Sequence, residues 1–149
     1  MNIKQAFTDS AIEVLSMFGV SCTYQGEAEE PALLSVNQVN VLIGFTDGLK
    51  GNLIAGFQKT TAIKIVSAMM GGIKLDDLDE MAESAVGELA NMLAGYTAGK
   101  LQSGSVISFS PPTLAIGEKM FLMASRVKTT KLSFKLDGEV FDLSFCVEQ

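Results

Sequence analysis

Apolar residues recur at helical spacing over the first twenty positions. Ile3, Phe7, Ala11, Val14, Leu15 and Phe18 share one side of a helix over 3–18, and Gly19 stops it. The period then shortens. Residues 20–26 and 33–46 read as extended, Asp47-Gly48 as a turn, and 51–57 as a returning strand. Thr60 or Thr61 can cap a helix over about 61–70, which Gly71-Gly72 ends. Asp76, Asp77 and Asp79 precede the longest helical pattern, about 79–101, where acidic side chains oppose the positive end of the helix dipole. Beyond it Val106–Phe109 is β-like, Pro111-Pro112 interrupts, and 119–129 and 131–136 read as strands. Asp137-Gly138 marks a hairpin into Val140–Val147, where Val140, Asp142 and Ser144 alternate with Phe141, Leu143 and Phe145. The pattern predicts one α+β domain over residues 1–149, an antiparallel sheet with helices packed on it.

A weak internal repeat runs through this order. Asp9, Glu13 and Ser16 in the first helix match Ser84, Glu88 and Asn91 in the long one, each 75 positions later. Each helix is followed by extended segments and an Asp-Gly hairpin, Asp47-Gly48 and Asp137-Gly138, now 90 positions apart. A duplicated fold would therefore carry about 15 extra residues in its second half.

Composition narrows the chemistry. With 149 residues, 48% of them hydrophobic, the chain can bury on the order of 70% of its unfolded surface without a disulfide or structural metal. A net charge of −6 argues against nucleic acid and against an anionic membrane surface as partners. No histidine is present, which excludes a Ser-His-Asp triad, a Cys-His pair and His-ligated zinc or haem. Cys22 and Cys146 lack CxxC spacing and are expected to be buried thiols. Asp9 and Glu13 break the N-terminal apolar stretch, and nowhere do 18 apolar residues run together, so the expectation is a cytoplasmic protein.

The long helix carries two stripes. Ala82, Ala85, Val86, Leu89, Leu93 and Tyr96 are expected to pack on the sheet. Roughly opposite them lie Ser84, Glu88, Asn91 and Gly95, spaced i, i+4, i+7, i+11. A solvated face explains Glu88 alone. It does not explain Asn91, a poor helix former placed mid-helix and exposed, or Gly95, which costs about 1 kcal/mol relative to Ala. The small Gly95 would leave room beside the amide for another protein's backbone. A carboxylate can pair with a lysine, and a carboxamide can both donate to and accept from a water. Such a pair could dock on a phosphorylated partner and orient a nucleophilic water without supplying a base, because phosphoryl transfer depends mainly on positioning and electrostatics.

Ser84-Ala-Val-Gly-Glu88-Leu-Ala-Asn91-Met-Leu-Ala-Gly95 resembles the signature helix of the CheC/CheX/FliY chemotaxis phosphatases, a Ser/Asp-x3-Glu-x2-Asn pattern. Met69-Met-Gly-Gly72 before it and Ser110-Pro-Pro-Thr-Leu-Ala-Ile-Gly117 after it are also similar to that family. The single intact motif resembles the CheX branch, since Ser16 stands where a first motif would need Asn. The resemblance implies a pseudo-two-fold fold with long helices on one face of the sheet. It implies hydrolysis of the phosphoaspartate of a CheY-type response regulator, with Glu88 and Asn91 catalytic and Ser84 and Gly95 at the partner surface. Glu88 would salt-bridge a regulator lysine and Asn91 would insert to position the water. The Mg²⁺ would be the regulator's, the chain having no cofactor of its own, and a homodimer is implied. The family pattern also expects a proline some two dozen residues beyond the Asn. Pro111 and Pro112 come slightly early and are expected to shape a bend between strands.

A different class of function is a non-catalytic docking module related to flagellar switch proteins, and a regulator outside chemotaxis is a third possibility. The remaining features read plainly. Met69, Met70, Met92, Met120 and Met123 suit core filling. No glycine pattern signals a nucleotide site, and Asp76, Asp77, Asp79 and Glu80 lack EF-hand spacing. The Arg126-Val-Lys128-Thr-Thr-Lys131 run is expected to be an edge strand protected by charge.

Overall fold

Glycines end the first two helices as the sequence requires. In the computed structural model, which describes residues 2–31, 33–101, 106–123 and 128–148, α1 spans Ile3–Met17 and α2 spans Lys59–Met69. Asn2 caps α1 by accepting from the Gln5 N–H at 2.8 Å. At its other end Gly19 adopts φ +75°, and the Gly19 and Val20 amides return to the Ser16 and Leu15 carbonyls. The same paired return closes α2, from Gly71 and Gly72 to Ala68 and Ser67, with both glycines at positive φ. No threonine caps α2, contrary to expectation. Gln58 occupies that position without a side-chain bond, Thr61 is buried, and the Thr60 hydroxyl donates to the Glu139 carboxylate. Asp79 does cap: its carboxylate accepts from the Ala82 N–H at 2.8 Å and starts α3, Glu80–Leu101.

The extended regions divide more finely than their hydrophobic pattern. β1 is Thr23–Glu30, β2 Leu33–Val36, β3 Val39–Asp47 and β4 Lys50–Phe57. After α3 come β5 Ser108–Phe109, β6 Thr113–Ile116, β7 Met120–Met123, β8 Thr129–Leu136 and β9 Glu139–Glu148. Asp137 and Gly138 both take positive φ between β8 and β9, the backbone of a type I′ hairpin turn. The main sheet runs β1-β8-β9-β4-β3-β5 with β6 also on β3, and every pairing is antiparallel. β2 and β7 form a separate ribbon.

This order bears out the repeat. Read outward from the β4–β9 junction it is β4, β3, β5/β6 on one side and β9, β8, β1 on the other. Each half therefore contributes the strand that completes the other half's hairpin. Across the junction Ile54 faces Ser144, its counterpart 90 positions on, so the pseudo-two-fold axis passes through that pair.

Alternation along the strands sorts the two faces. Val39, Val41, Ile43, Phe45, Leu53, Ala55, Phe57, Leu132, Phe134, Phe141, Leu143 and Phe145 join Phe7, Val14, Ile65, Val86, Leu89 and Leu93 of the helices in one core. The opposite face is polar and is crossed by the ribbon, with Leu122 and Val36 over Ile54. There the Asp142 carboxylate accepts from Asn37 at 3.1 Å and Ser133 at 3.0 Å.

Two further corrections turn on non-local pairing. β6 is absent from the sequence reading because a four-residue segment after two prolines has no periodicity of its own; pairing with β3 makes it a strand. The basic run is not a sheet edge. β8 lies between β1 and β9, and Lys128 and Lys131 pair with Glu29 and Glu30 of β1, at 3.8 and 3.4 Å. Arg126, with the end of the strand expected over 119–129, lies outside the described residues. Cys22 is buried, with its thiol pushed up to about 11 by that burial, whereas Cys146 is only half-buried. Met69, Met70 and Met92 pack against the core as expected.

Replacing Asp79 by Ala removes the cap that starts α3. The expected loss is about 1 kcal/mol of stability, read as a lower urea midpoint with an unchanged slope.

Candidate functional site

α3 is held on both flanks. On one it packs beside α1: the Tyr96 hydroxyl donates to Met17 Sδ at 3.3 Å, and Lys100 pairs with Glu13 at 2.9 Å. These two contacts show the helices running antiparallel. On the other flank lies the segment from β5 to β6, tied to β3 by the Ser110 N–H to Gly44 carbonyl bond and by Ser110 Oγ accepting from the Gly44 N–H at 2.9 Å. Pro112 sits there against Gly87, its Cγ 3.4 Å from where a Cβ on Gly87 would stand. One side chain further along, Phe109 Cζ lies 3.9 Å from the corresponding position on Gly95.

Between these flanks the predicted stripe faces outward. Ser84, Glu88 and Gly95 are exposed and Asn91 is half-buried. At about 100° per residue Asn91 falls between Gly87 and Gly95 on the helical wheel, so it stands nearest the β5–β6 wall while Glu88 stands on the open side. Asn91 is less exposed than its position on the polar stripe predicted. Neither Glu88 nor Asn91 makes a hydrogen bond or ion pair with another described residue. Two hydrogen-bonding groups on a rigid helix are thus left for something else to satisfy. Glu80 and Glu83 place further negative charge in the first turn of the same helix.

The stripe expected to pack on the sheet is only partly the buried one. Ala82, Val86, Leu89 and Leu93 are buried, but Ala85 is half-buried and Tyr96 is exposed. Burial instead continues through Gly87, Ala90, Ala94, Thr97 and Ala98, small residues that let the neighbouring elements come close. Pro112 and Phe109 were not identified as neighbours of the site. The prolines do not turn the chain between two strands: Phe109 lies opposite Phe45 and Thr113 opposite Leu42, so β5 and β6 run on in one direction along β3 with one extra residue between them. Pro112 seats against α3; a glycine mid-helix at Gly87 was the available hint.

The equivalent positions of α1 are committed internally. Asp9 accepts from Gln5 Nε2 at 2.7 Å, Glu13 holds Lys100, and the Ser16 hydroxyl donates to the Glu13 carbonyl at 2.7 Å. The two halves share a backbone plan but not a site. Among the described residues, no group of three or more carboxylate or thiol side chains is placed to hold a metal ion.

The chain is similar to several known proteins. Residues 39–137 match the family model for the chemotaxis phosphatase CheX. The CheY-P phosphatase CheX of Thermotoga maritima is 44% identical over 101 residues, which is 67% of this chain and 62% of that protein, so the match spans less than two thirds of the relative's length. Among solved structures, a CheC-like superfamily protein from a Shewanella species superposes with a TM-score of 0.85 at 25% identity, covering all of both chains. CheX from Borrelia burgdorferi, solved in complex with CheY, BeF3 and Mg²⁺, superposes with a TM-score of 0.78 at 22% identity over 99% of each chain. The greater part of the sequence and the whole of the fold lead to the same place: this chain belongs to the CheX family of chemotaxis phosphatases.

Proposed function

We propose that this protein hydrolyses the phosphoaspartate of a CheY-type response regulator. Glu88 pairs with a lysine of the regulator, and the Asn91 carboxamide enters the regulator's active site and orients the attacking water. Water attacks phosphorus as the bond to the aspartyl oxygen breaks, releasing phosphate and restoring the carboxylate. Ser84 and Gly95 lie at the contact, and the glycine lets the partner's backbone approach the amide. The Mg²⁺ is the regulator's own. The observation that carries this reading is that the Glu88 and Asn91 side chains have no partner among the described residues, whereas their counterparts Glu13 and Ser16 are engaged. The family's phosphatase activity, and the Borrelia protein's complex with CheY, support it.

The proposal extends to the protein's surroundings. No described helix is long and apolar enough to cross a membrane, and we place the protein in the cytoplasm with its regulator. We also propose a homodimer, as the family resemblance implies. Phe121, 67% exposed on β7 of the outer ribbon, is the apolar side chain at which we probe it. Light scattering should give twice the chain mass for the native protein and a monomer for Phe121→Asp; a native monomer at all concentrations overturns the dimer.

Phosphate loss from a phosphorylated receiver domain tests the mechanism. Asn91→Ala should fold and bind the regulator normally while losing about 10²-fold in rate, the scale of aligning one water. Glu88→Ala, and more so Glu88→Lys, should raise the regulator concentration needed for half-maximal rate. Equal rates for wild type and Asn91→Ala would end the catalytic assignment, and retained binding would then favour the docking module. Gly95→Ala separates stability from function. Its new methyl meets only Phe109, at an ordinary contact distance of 3.9 Å. It should raise stability by up to about 1 kcal/mol in thermal melts while weakening association with the regulator.

A further inference from the structure

We propose that Phe109 and Pro112 are positioning residues that form a slot holding the Asn91 side chain in the rotamer that reaches the water; this rests on the reading of Asn91 as the water-orienting residue. Gly87, Asn91 and Gly95 make one row on α3 at four-residue intervals. The two glycines at its ends are where the β5–β6 segment touches the helix, Pro112 at 3.4 Å and Phe109 at 3.9 Å from their Cβ positions. Asn91 is the one residue of the row with a side chain, and its place in the row lies between those two contacts. Its partial burial agrees, since Ser84 and Glu88 on the same stripe are exposed.

The wall itself is fixed. Phe109 stacks edge-on against Phe45 with ring centroids 6.1 Å apart, and Phe45 stacks in the same way against Phe7 of α1 at 6.3 Å. Ser110 is tied to Gly44 through both its amide and its hydroxyl. An asparagine with no hydrogen-bond partner of its own would otherwise sample several χ1 wells. Restricting it before the partner arrives leaves less to order during reaction, which is how a side chain remote from the bond being broken affects turnover.

The test measures dephosphorylation of a CheY-type receiver domain charged with acetyl phosphate, as kcat and as the regulator concentration for half-maximal rate. Phe109→Ala and Pro112→Ala should each lower kcat by about tenfold, with half-saturation and regulator binding changed less than twofold. Phe109→Leu, which keeps most of the wall, should restore kcat to within about twofold. In the free protein, Asn91 χ1 couplings should move toward rotamer averaging in the Ala variants and not in Phe109→Leu. Unchanged kcat in both Ala variants, or a single averaged χ1 in the native protein, overturns the slot. Asn91→Ala is the control that separates this from the parent reading: if it keeps full activity, the water-orienting role fails. If it is inactive while the wall variants are fully active, the slot alone fails.

Discussion

The pairing of β4 with β9 is the constraint on which the rest of the structure depends. It joins two hairpins about a pseudo-two-fold axis through Ile54 and Ser144, and each hairpin is then extended by a strand from the other half of the chain. Neither half can complete its sheet alone, because β1 lies on β8 and β5 and β6 lie on β3. The inward residues of both hairpins form one apolar surface, and α1 and α3 cover it side by side. α3 is consequently held by α1 on one flank and by the β5–β6 segment on the other. A helix fixed on both sides presents its third side in a constant geometry, and that side carries Glu88 and Asn91.

Duplication explains why two such sides exist, and the side chains explain why only one is left open. In α1 the stripe is consumed by the fold: Glu13 holds Lys100, near the C-terminal end of α3, and so joins the two helices. An exposed pair of this kind contributes little to stability, on the order of 0–1 kcal/mol, but it leaves the Glu13 carboxylate occupied. Ser16 is too short to reach beyond the surface and bonds back to its own helix. Glu88 and Asn91 have no such commitments among the described residues. The same backbone position is structural in one copy and open in the other.

The features legible in the sequence were those encoded within a few residues. Gly19 and Gly71-Gly72 stop helices because only a residue tolerant of positive φ closes the chain there, and Asp137-Gly138 turns for the same reason. The stripe from Ser84 to Gly95 was legible because helical periodicity alone sets which residues share a side. What escaped depends on distant partners. β6 is a strand only because β3 lies beside it, and β8 is interior only because β1 crosses from the other half. Tyr96 matched the apolar stripe in sequence, yet α1 takes its place over the core and leaves its ring at the surface with its hydroxyl on Met17. The approach of Pro112 to Gly87 and of Phe109 to Gly95 belongs to the same class, since both partners lie far along the chain from the glycines they meet.

The composition of the chain and the geometry of the stripe bear on one question, which is what kind of catalysis such a surface could offer. There is no histidine anywhere, and α3's exposed side presents a carboxylate, an amide and glycine. None of these is a good base held in a cleft, and the stripe is convex, so it cannot enclose a substrate by itself. A convex helix can act on a reaction only by entering a concave site that already contains the electrophile, its metal and its charge stabilisation. Under that condition the missing component is a correctly placed water, and an amide that donates and accepts at once can place it. The exposed glycine in the next turn fits the same requirement, since it lowers helix stability where the fold has room for a methyl group. That cost has no reason within the described fold.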